Sequence, residues 1–289
     1  MRRSVPVVLA ALALCCAPAA MGLAEFGIEG MGVVSTPADE ARATVAPDGR
    51  RIVWSSDREG GWRLWQATLR DGRWTDPQPL ALDGPAEDSD PFFSADGRWL
   101  YFASRREGGH GGRDLHRAAV NVDGTFGAAE NLGAAVNGAG DERAPTLSTD
   151  GSALLFSSDG HGGAGGHDLW VARWDGRAFV DPQPLPGINS EADETEAAWL
   201  QDGRGVVFAR ATDARSRLWV ALCRQGRYAD AQPLALSFNS AEGDTRGPVI
   251  DASAPGELLL SGSARAPRAG KLDIYRMKAP SAEGDDSCR

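Results

Sequence analysis

After its first two dozen residues the chain is written in short apolar runs, cut every few positions by Gly, Pro, Asp or Asn. Five runs share one form, bulky residues followed by a small or polar one: Ile52-Val53-Trp54-Ser55, Leu100-Tyr101-Phe102-Ala103, Leu154-Leu155-Phe156-Ser157, Val206-Val207-Phe208-Ala209 and Leu258-Leu259-Leu260-Ser261. Runs of this length bounded by turn residues predict β-strands. No stretch sustains the 3.6-residue period of a helix. Each run follows a turn, at Asp48-Gly49, Asp96-Gly97, Asp150-Gly151 and Asp202-Gly203, replaced in the fifth copy by Ala254-Pro255-Gly256. A second strand then holds Leu64-Trp65, Leu115-His116, Leu169-Trp170, Leu218-Trp219 or Ile274-Tyr275, whose rings suit the space between packed sheets. Turns at Asp71-Gly72, Asp123-Gly124, Asp175-Gly176 and Gln225-Gly226 lead to a further strand opened by Trp74, Phe126, Phe179 or Tyr228. Asp-Gly there supplies the positive φ of a tight hairpin.

An acidic residue precedes each unit, at Asp39, Glu87, Asp141, Asp193 and Asp244, in steps of 48, 54, 52 and 51 residues. Four antiparallel strands repeated at such a period form the blades of a β-propeller. The expected fold is all-β, a propeller of five four-stranded blades, with six blades as the alternative. The fifth unit ends after Ile274-Tyr275-Arg276 without a last strand of its own. The segment before Asp39 has what is missing. Phe26 lies 13 residues ahead of Asp39, as Trp74 lies ahead of Glu87, and Val33-Val34-Ser35 stands where Gly187-Ile188-Asn189 stands before Asp193. Residues 25–36 are therefore expected to complete the last blade and close the ring, hiding edges that an open array would expose.

Arg2 and Arg3, the apolar run from Val5 to Cys16, and small residues at Ala17, Ala19 and Ala20 have the form of a secretory signal. The run is too short for a permanent membrane helix. Residues 1–24 are expected to be a signal peptide, 25–279 the propeller, and 280–289 a polar, disordered tail. Cys15 and Cys16 stand where a lipid-modified cysteine would, but Leu14 is larger than the small residue such a site requires, which disfavours a lipid anchor. The expected location is periplasmic or secreted, and no later stretch approaches membrane-spanning length. Losing Arg2 and Arg3 takes the formal charge from −10 to −12. That surface repels polyphosphate and argues against nucleic acid. Only Cys223 and Cys288 follow the signal, so the chain is no disulfide-dense scaffold, although the two can bridge. A monomer is expected.

The segment from Pro145-Thr-Leu-Ser-Thr-Asp-Gly151 through Leu155-Phe-Ser-Ser-Asp-Gly-His-Gly-Gly-Ala-Gly-Gly-His-Asp-Leu-Trp170 resembles the PD40, or WD40-like, repeat of TolB-type propellers. Units two and three carry the pattern fully. Units one and four have Arg63 and Arg217 in place of the Asp before Leu-Trp, and unit five diverges most. TolB-type propellers usually have six blades, which sets the five units here apart. The resemblance implies an envelope or secreted scaffold that binds a protein or glycan. Fold-level analogy carries function only weakly.

The acids supply the candidate chemistry. Asp39, Glu87, Asp141, Asp193 and Asp244, with Glu40, Asp88, Glu142 and Glu194 beside the first four, enter each blade just before its innermost strand and are expected around the mouth of a central channel. Acids facing one another there would raise each other's pKa or recruit a cation. Alternatively, each caps a loop or pairs with an arginine such as Arg42, Arg143 or Arg246. Asp90 and Glu196 break the repeat where other units have Arg42, Ala144 and Gly247, and two such carboxylates could serve glycoside hydrolysis. The loops Gly108-Gly-His-Gly-Gly-Arg-Asp114 and Gly162-Gly-Ala-Gly-Gly-His-Asp168 resemble calcium-binding Gly-rich turns, with the Asp one residue late. Their simpler reading is a hairpin loop closed by its own Asp. His110, His116, His161 and His167 lack any preset zinc spacing, and no cofactor is expected.

Overall fold

The computed structural model describes residues 26–82, 86–212 and 215–288. The expected signal, 1–24, lies outside the described residues. Blade one contains β2 to β5 (Glu40–Val45, Arg51–Ser56, Arg63–Arg70, Arg73–Pro79) and blade two β6 to β9 (Asp88–Phe93, Trp99–Ser104, Asp114–Val120, Phe126–Asn131). Blade three contains β10 to β13 (Glu142–Leu147, Ala153–Ser158, Asp168–Trp174, Phe179–Pro184) and blade four β14 to β17 (Asp193–Leu200, Gly205–Thr212, Arg215–Arg224, Arg227–Pro233). Blade five joins β18, β19 and β20 (Thr245–Ile250, Glu257–Gly262, Asp273–Lys278) to β1 (Phe26–Ile28). Each sheet is an antiparallel meander, so the fold is a propeller of five blades, not six, among the described residues. No described helix is long and apolar enough to cross a membrane.

The second strand of every blade is buried because its bulky residues fill both inter-blade spaces. Trp54, Phe102, Phe156, Phe208 and Leu260 are essentially inaccessible, and the apolar clusters each draw on more than one blade. The innermost strand behaves differently. In every blade its register with the second strand shifts near the third residue. Arg42, Asp90, Ala144 and Gly247 all have positive φ at that bulge. A bulge bends the strand and re-aims a side chain, so whatever residue sits there is turned out of the strand's alternation.

Ring closure comes from the expected segment, but Phe26 does not take the register of its expected counterpart Trp74, which faces Leu69 five residues after Leu64. Phe26, Gly27 and Ile28 pair with Met277, Arg276 and Tyr275. Ser35 replaces Asn189 in function as well as in position. The Ile274 N–H donates to Ser35 Oγ at 3.1 Å, as the Leu169 N–H donates to Asn189 Oδ1 at 2.9 Å. The Phe26 ring meets Phe238 and Tyr275 edge-on, with centroids 4.7 and 5.4 Å away.

Residues 280–288 correct the expectation of a disordered tail. They run against blade four, where the Ala282 N–H donates to Gln201 Oε1, the Asp285 N–H to the Cys223 carbonyl, and Arg204 pairs with Asp286. Cys223 and Cys288 form a disulfide. Polar composition favours solvation, but a covalent bond and the buried methyl of Ala282 hold the segment in place.

Candidate functional site: the barred ring axis

The first acid of each unit mostly latches one blade to the one before it. Asp39 accepts the Leu272 N–H, Asp193 the Gly166 and His167 N–H groups, and Asp244 the Ser216 N–H. Asp141 accepts the Arg113 N–H at 2.7 Å and lies within ion-pair distance of Arg143, Arg105 and Arg113. Burial opposes its ionisation, but the bonds from Arg143 and Arg113 outweigh that and hold its pKa at about 2. Glu87 is exposed and meets the Arg113 side chain at 3.3 Å.

The second acid is a lock within the blade. Glu40 accepts from the Thr36 N–H and hydroxyl, the Ser56 hydroxyl and Arg58; Glu194 accepts from the Ser190 N–H and hydroxyl and from Arg210. Asp88 pairs with Arg106 at 2.8 Å, while Glu142 takes the Gly138 N–H and the Ser158 hydroxyl. Burial pushes the carboxyls of Glu40, Asp88 and Glu142 upward. Arg58, Arg106 and Arg210 also lie over aromatic rings of the same blade, at 4.6–5.5 Å. In blade three His161 takes that place, packed on Phe156 and Trp170 with Nε2 2.7 Å from the Val136 carbonyl. Sequence reasoning missed this recurring cation over an aromatic; its signal was a basic residue two or three positions after the Ser that ends the second strand, or, in blade four, Arg210 within that strand.

The bulge residues form the site on the ring axis. Arg42 is fully buried, and its Nη2 donates to the Pro145 carbonyl at 2.8 Å and to Thr146 Oγ1 at 2.7 Å. Blades one and three are not neighbours, so this side chain crosses the axis and bars the channel. Its backbone N–H is held by Ser261 Oγ of blade five at 2.8 Å, while Nε and Nη1 are buried without a hydrogen-bond partner among the described residues. Glu196, from blade four, accepts the Gly247 N–H at 2.6 Å. Asp90, from blade two, is half-buried, with its backbone N–H on Ser55 Oγ at 3.0 Å. Burial, and then the charge of Asp90, push the Glu196 carboxyl up; Arg42 and Arg246 pull it back. Burial likewise pushes the Arg42 guanidinium down, and Glu196 and Asp90 oppose that. Above this level Arg143 pairs with Asp141 and Arg246 with Asp244. Both guanidinia are stabilised as cations against their burial by these partners together with Asp90 and Glu196.

The result is a charged cluster on the ring axis, the cup, in which Arg42 lies in the field of Asp90 and Glu196 and the arginines of the Arg143–Asp141 and Arg246–Asp244 pairs act with both carboxylates. Of the expected channel residues, Asp90, Glu196, Arg143, Arg246, Asp141 and Asp244 come together there. Asp39 and Asp193 serve the inter-blade latches, and Asp88, Glu142 and Glu194 the intra-blade locks. Arg42 pairs with neither Asp39 nor Glu40.

The Gly-rich loops are closed from within. Asp114 accepts the His110 N–H and the Asn131 amide, and Asp168 the Gly165 N–H. Among the described residues no group of three or more His, Cys, Asp or Glu is arranged to hold a metal.

No family model and no curated protein matches the chain. Solved structures do resemble it in fold. TolB from Acinetobacter baumannii aligns with 14% identity over 85% of this chain, TM-score 0.51, and the aligned region spans 56% of that protein's length. The catalytic domain of an α-L-arabinofuranosidase from Coprinopsis cinerea aligns with 13% identity over 91% of this chain and 99% of its own, TM-score 0.55. An endo-arabinase from Bacteroides thetaiotaomicron aligns with 15% identity over 90% and 99%, TM-score 0.54. At such identities the likeness is one of fold.

Proposed function

We propose that this chain is an exported propeller of the PD40, TolB-like kind that binds a protein or glycan partner in the cell envelope through the loop face around the cup, without turning it over. The observation that carries this reading is Arg42. A two-carboxylate hydrolase needs one acid free to protonate a leaving group and another free to act as base or nucleophile. Here a buried guanidinium lies in the field of both Asp90 and Glu196 and occupies the axis between the blades that carry them. The Cys223–Cys288 bridge supports residence in an oxidising compartment, with residues 1–24 as the export signal.

A hydrolytic reading has one observation in its favour. Burial and the nearby Asp90 carboxylate raise the pKa of Glu196, as a general acid requires. One experiment separates the two. The mature protein, beside its Arg143→Ala and Arg246→Ala variants, is used as bait for envelope extract and is assayed on aryl arabinosides, xylosides and glucosides. Binding predicts a partner retained by the wild type, weakened in both variants, and no turnover. Turnover abolished by Glu196→Gln, with no partner retained, overturns it.

A further inference from the structure

We propose that the cleft between blades two and three is a binding site for a neutral saccharide, separate from the cup and independent of the cup's partner. It opens on the opposite side of the ring, among the turns that join first to second strands, and encloses about 290 Å³. That volume is at the lower end for ligand sites and suits about one sugar unit of a longer chain.

Two residues identify the cleft. Trp99 opens the second strand of blade two; the register-equivalent positions hold Arg51, Ala153, Gly205 and Glu257. Trp174 ends the third strand of blade three opposite Phe179; its equivalents, opposite Trp74, Phe126 and Tyr228, are Leu69, Val120 and Cys223. The blades are therefore built without an indole at either position. Both departures fall on one inter-blade boundary and line the same cleft, each half-buried.

The surrounding charges select the ligand. The Arg117 guanidinium lies 4.0 Å from the Trp99 ring centroid and 5.9 Å from that of Trp174, held by Glu130 at 3.0 Å. The aromatic faces that would attract a cationic ligand thus already carry a cation. Asp96 and Asp150 line the same cleft. Their hydrogen bonds hold both carboxyls below the usual range, Asp150 at about 2, so both stay ionised near neutrality and repel anions. A neutral ligand with a C–H surface for the indole–guanidinium stack and hydroxyls for Asp96 and Asp150 meets the groups that line the cleft. A pyranose or furanose ring has those properties.

The test is native affinity electrophoresis of the full mature protein in gels containing arabinan, xyloglucan, dextran or laminarin, with alginate as an acidic control. Retardation is expected in at least one neutral gel and not in alginate. Trp99→Ala and Trp174→Leu install residues that blades three and one already carry at these positions; because both rings pack against the core between blades two and three, the melting temperature should fall while the circular dichroism spectrum stays that of the folded protein, and retardation should weaken by roughly tenfold or more at a temperature well below either melt. Retardation weakened by Arg143→Ala but not by either tryptophan variant is binding at the cup and overturns the assignment to this cleft, which separates failure here from failure of the cup. No retardation in any neutral gel, or retardation unaffected by both tryptophan variants, overturns the assignment.

Discussion

Replacing Arg42 by Met tests the account of the ring axis most directly. Met approximates the length of the side chain but removes the charge and both bonds to blade three, to the Pro145 carbonyl and Thr146 Oγ1. Asp90 and Glu196 then face each other without the buried cation. Removing one partner from a buried ionic group costs about 3–5 kcal/mol. For a chain of this size that corresponds to a melting temperature lower by about 6–20 °C. The loss must depend on pH. The folded-state pKa of Glu196 is already raised by burial and by Asp90, and removing Arg42 raises it further. A carboxyl with a raised folded pKa is more protonated in the folded than in the unfolded protein. Its destabilisation therefore grows as pH rises towards that folded value and is relieved on acidification. Denaturant unfolding of wild type and Arg42→Met at pH 7.5 and pH 5 should show a smaller difference at pH 5. Arg42→Met/Glu196→Gln should recover much of the loss at pH 7.5. A loss under about 1 kcal/mol, or one equal at both pH values and unrelieved by Glu196→Gln, would refute the coupling of these residues.

Asp141→Asn should lower stability by about 1 kcal/mol at neutral pH. Because the carboxyl's folded pKa is depressed to about 2, the difference from wild type should be present above about pH 4 and fade as pH falls through 2 in acid titration of the melt. Reduction of Cys223–Cys288, or Cys288→Ser, should free residues 280–288 to protease. The bridge spans 65 residues, and loop entropy sets a ceiling of about 4 kcal/mol on its contribution. Deleting residues 25–28 exposes the β20 edge, and size-exclusion chromatography should show oligomers; a monomer of unchanged melting temperature would deny β1 its closing role.

Much of the architecture was legible in the chain because it is set by local chemistry. The hairpins rest on residues with positive φ, such as Asp71-Gly72 and Gln225-Gly226, and the buried second strands on runs of bulky residues. The match of Ser35 to Asn189 was visible as an offset, and both contact the third strand in the same way. The tail was misread because composition reports solvation preference and not the bond between Cys223 and Cys288. The acids were only partly assigned. Their repetition was plain, but which neighbour each would meet depends on the loop of the preceding blade, as when Asp193 takes N–H groups from residues 166 and 167.

By itself, then, the sequence determined the period, the strands, the count of blades and the segment that closes them, since turn chemistry and alternation act over a few residues. It also exposed Asp90 and Glu196 as departures from the repeat. Only the tertiary structure decided that Arg42 would cross the ring to residues more than a hundred positions away and lie in the field of both carboxylates. A bulge turns the side chain out of the strand, and the ring then decides what stands opposite; neither the direction nor the partner is written in the neighbouring residues.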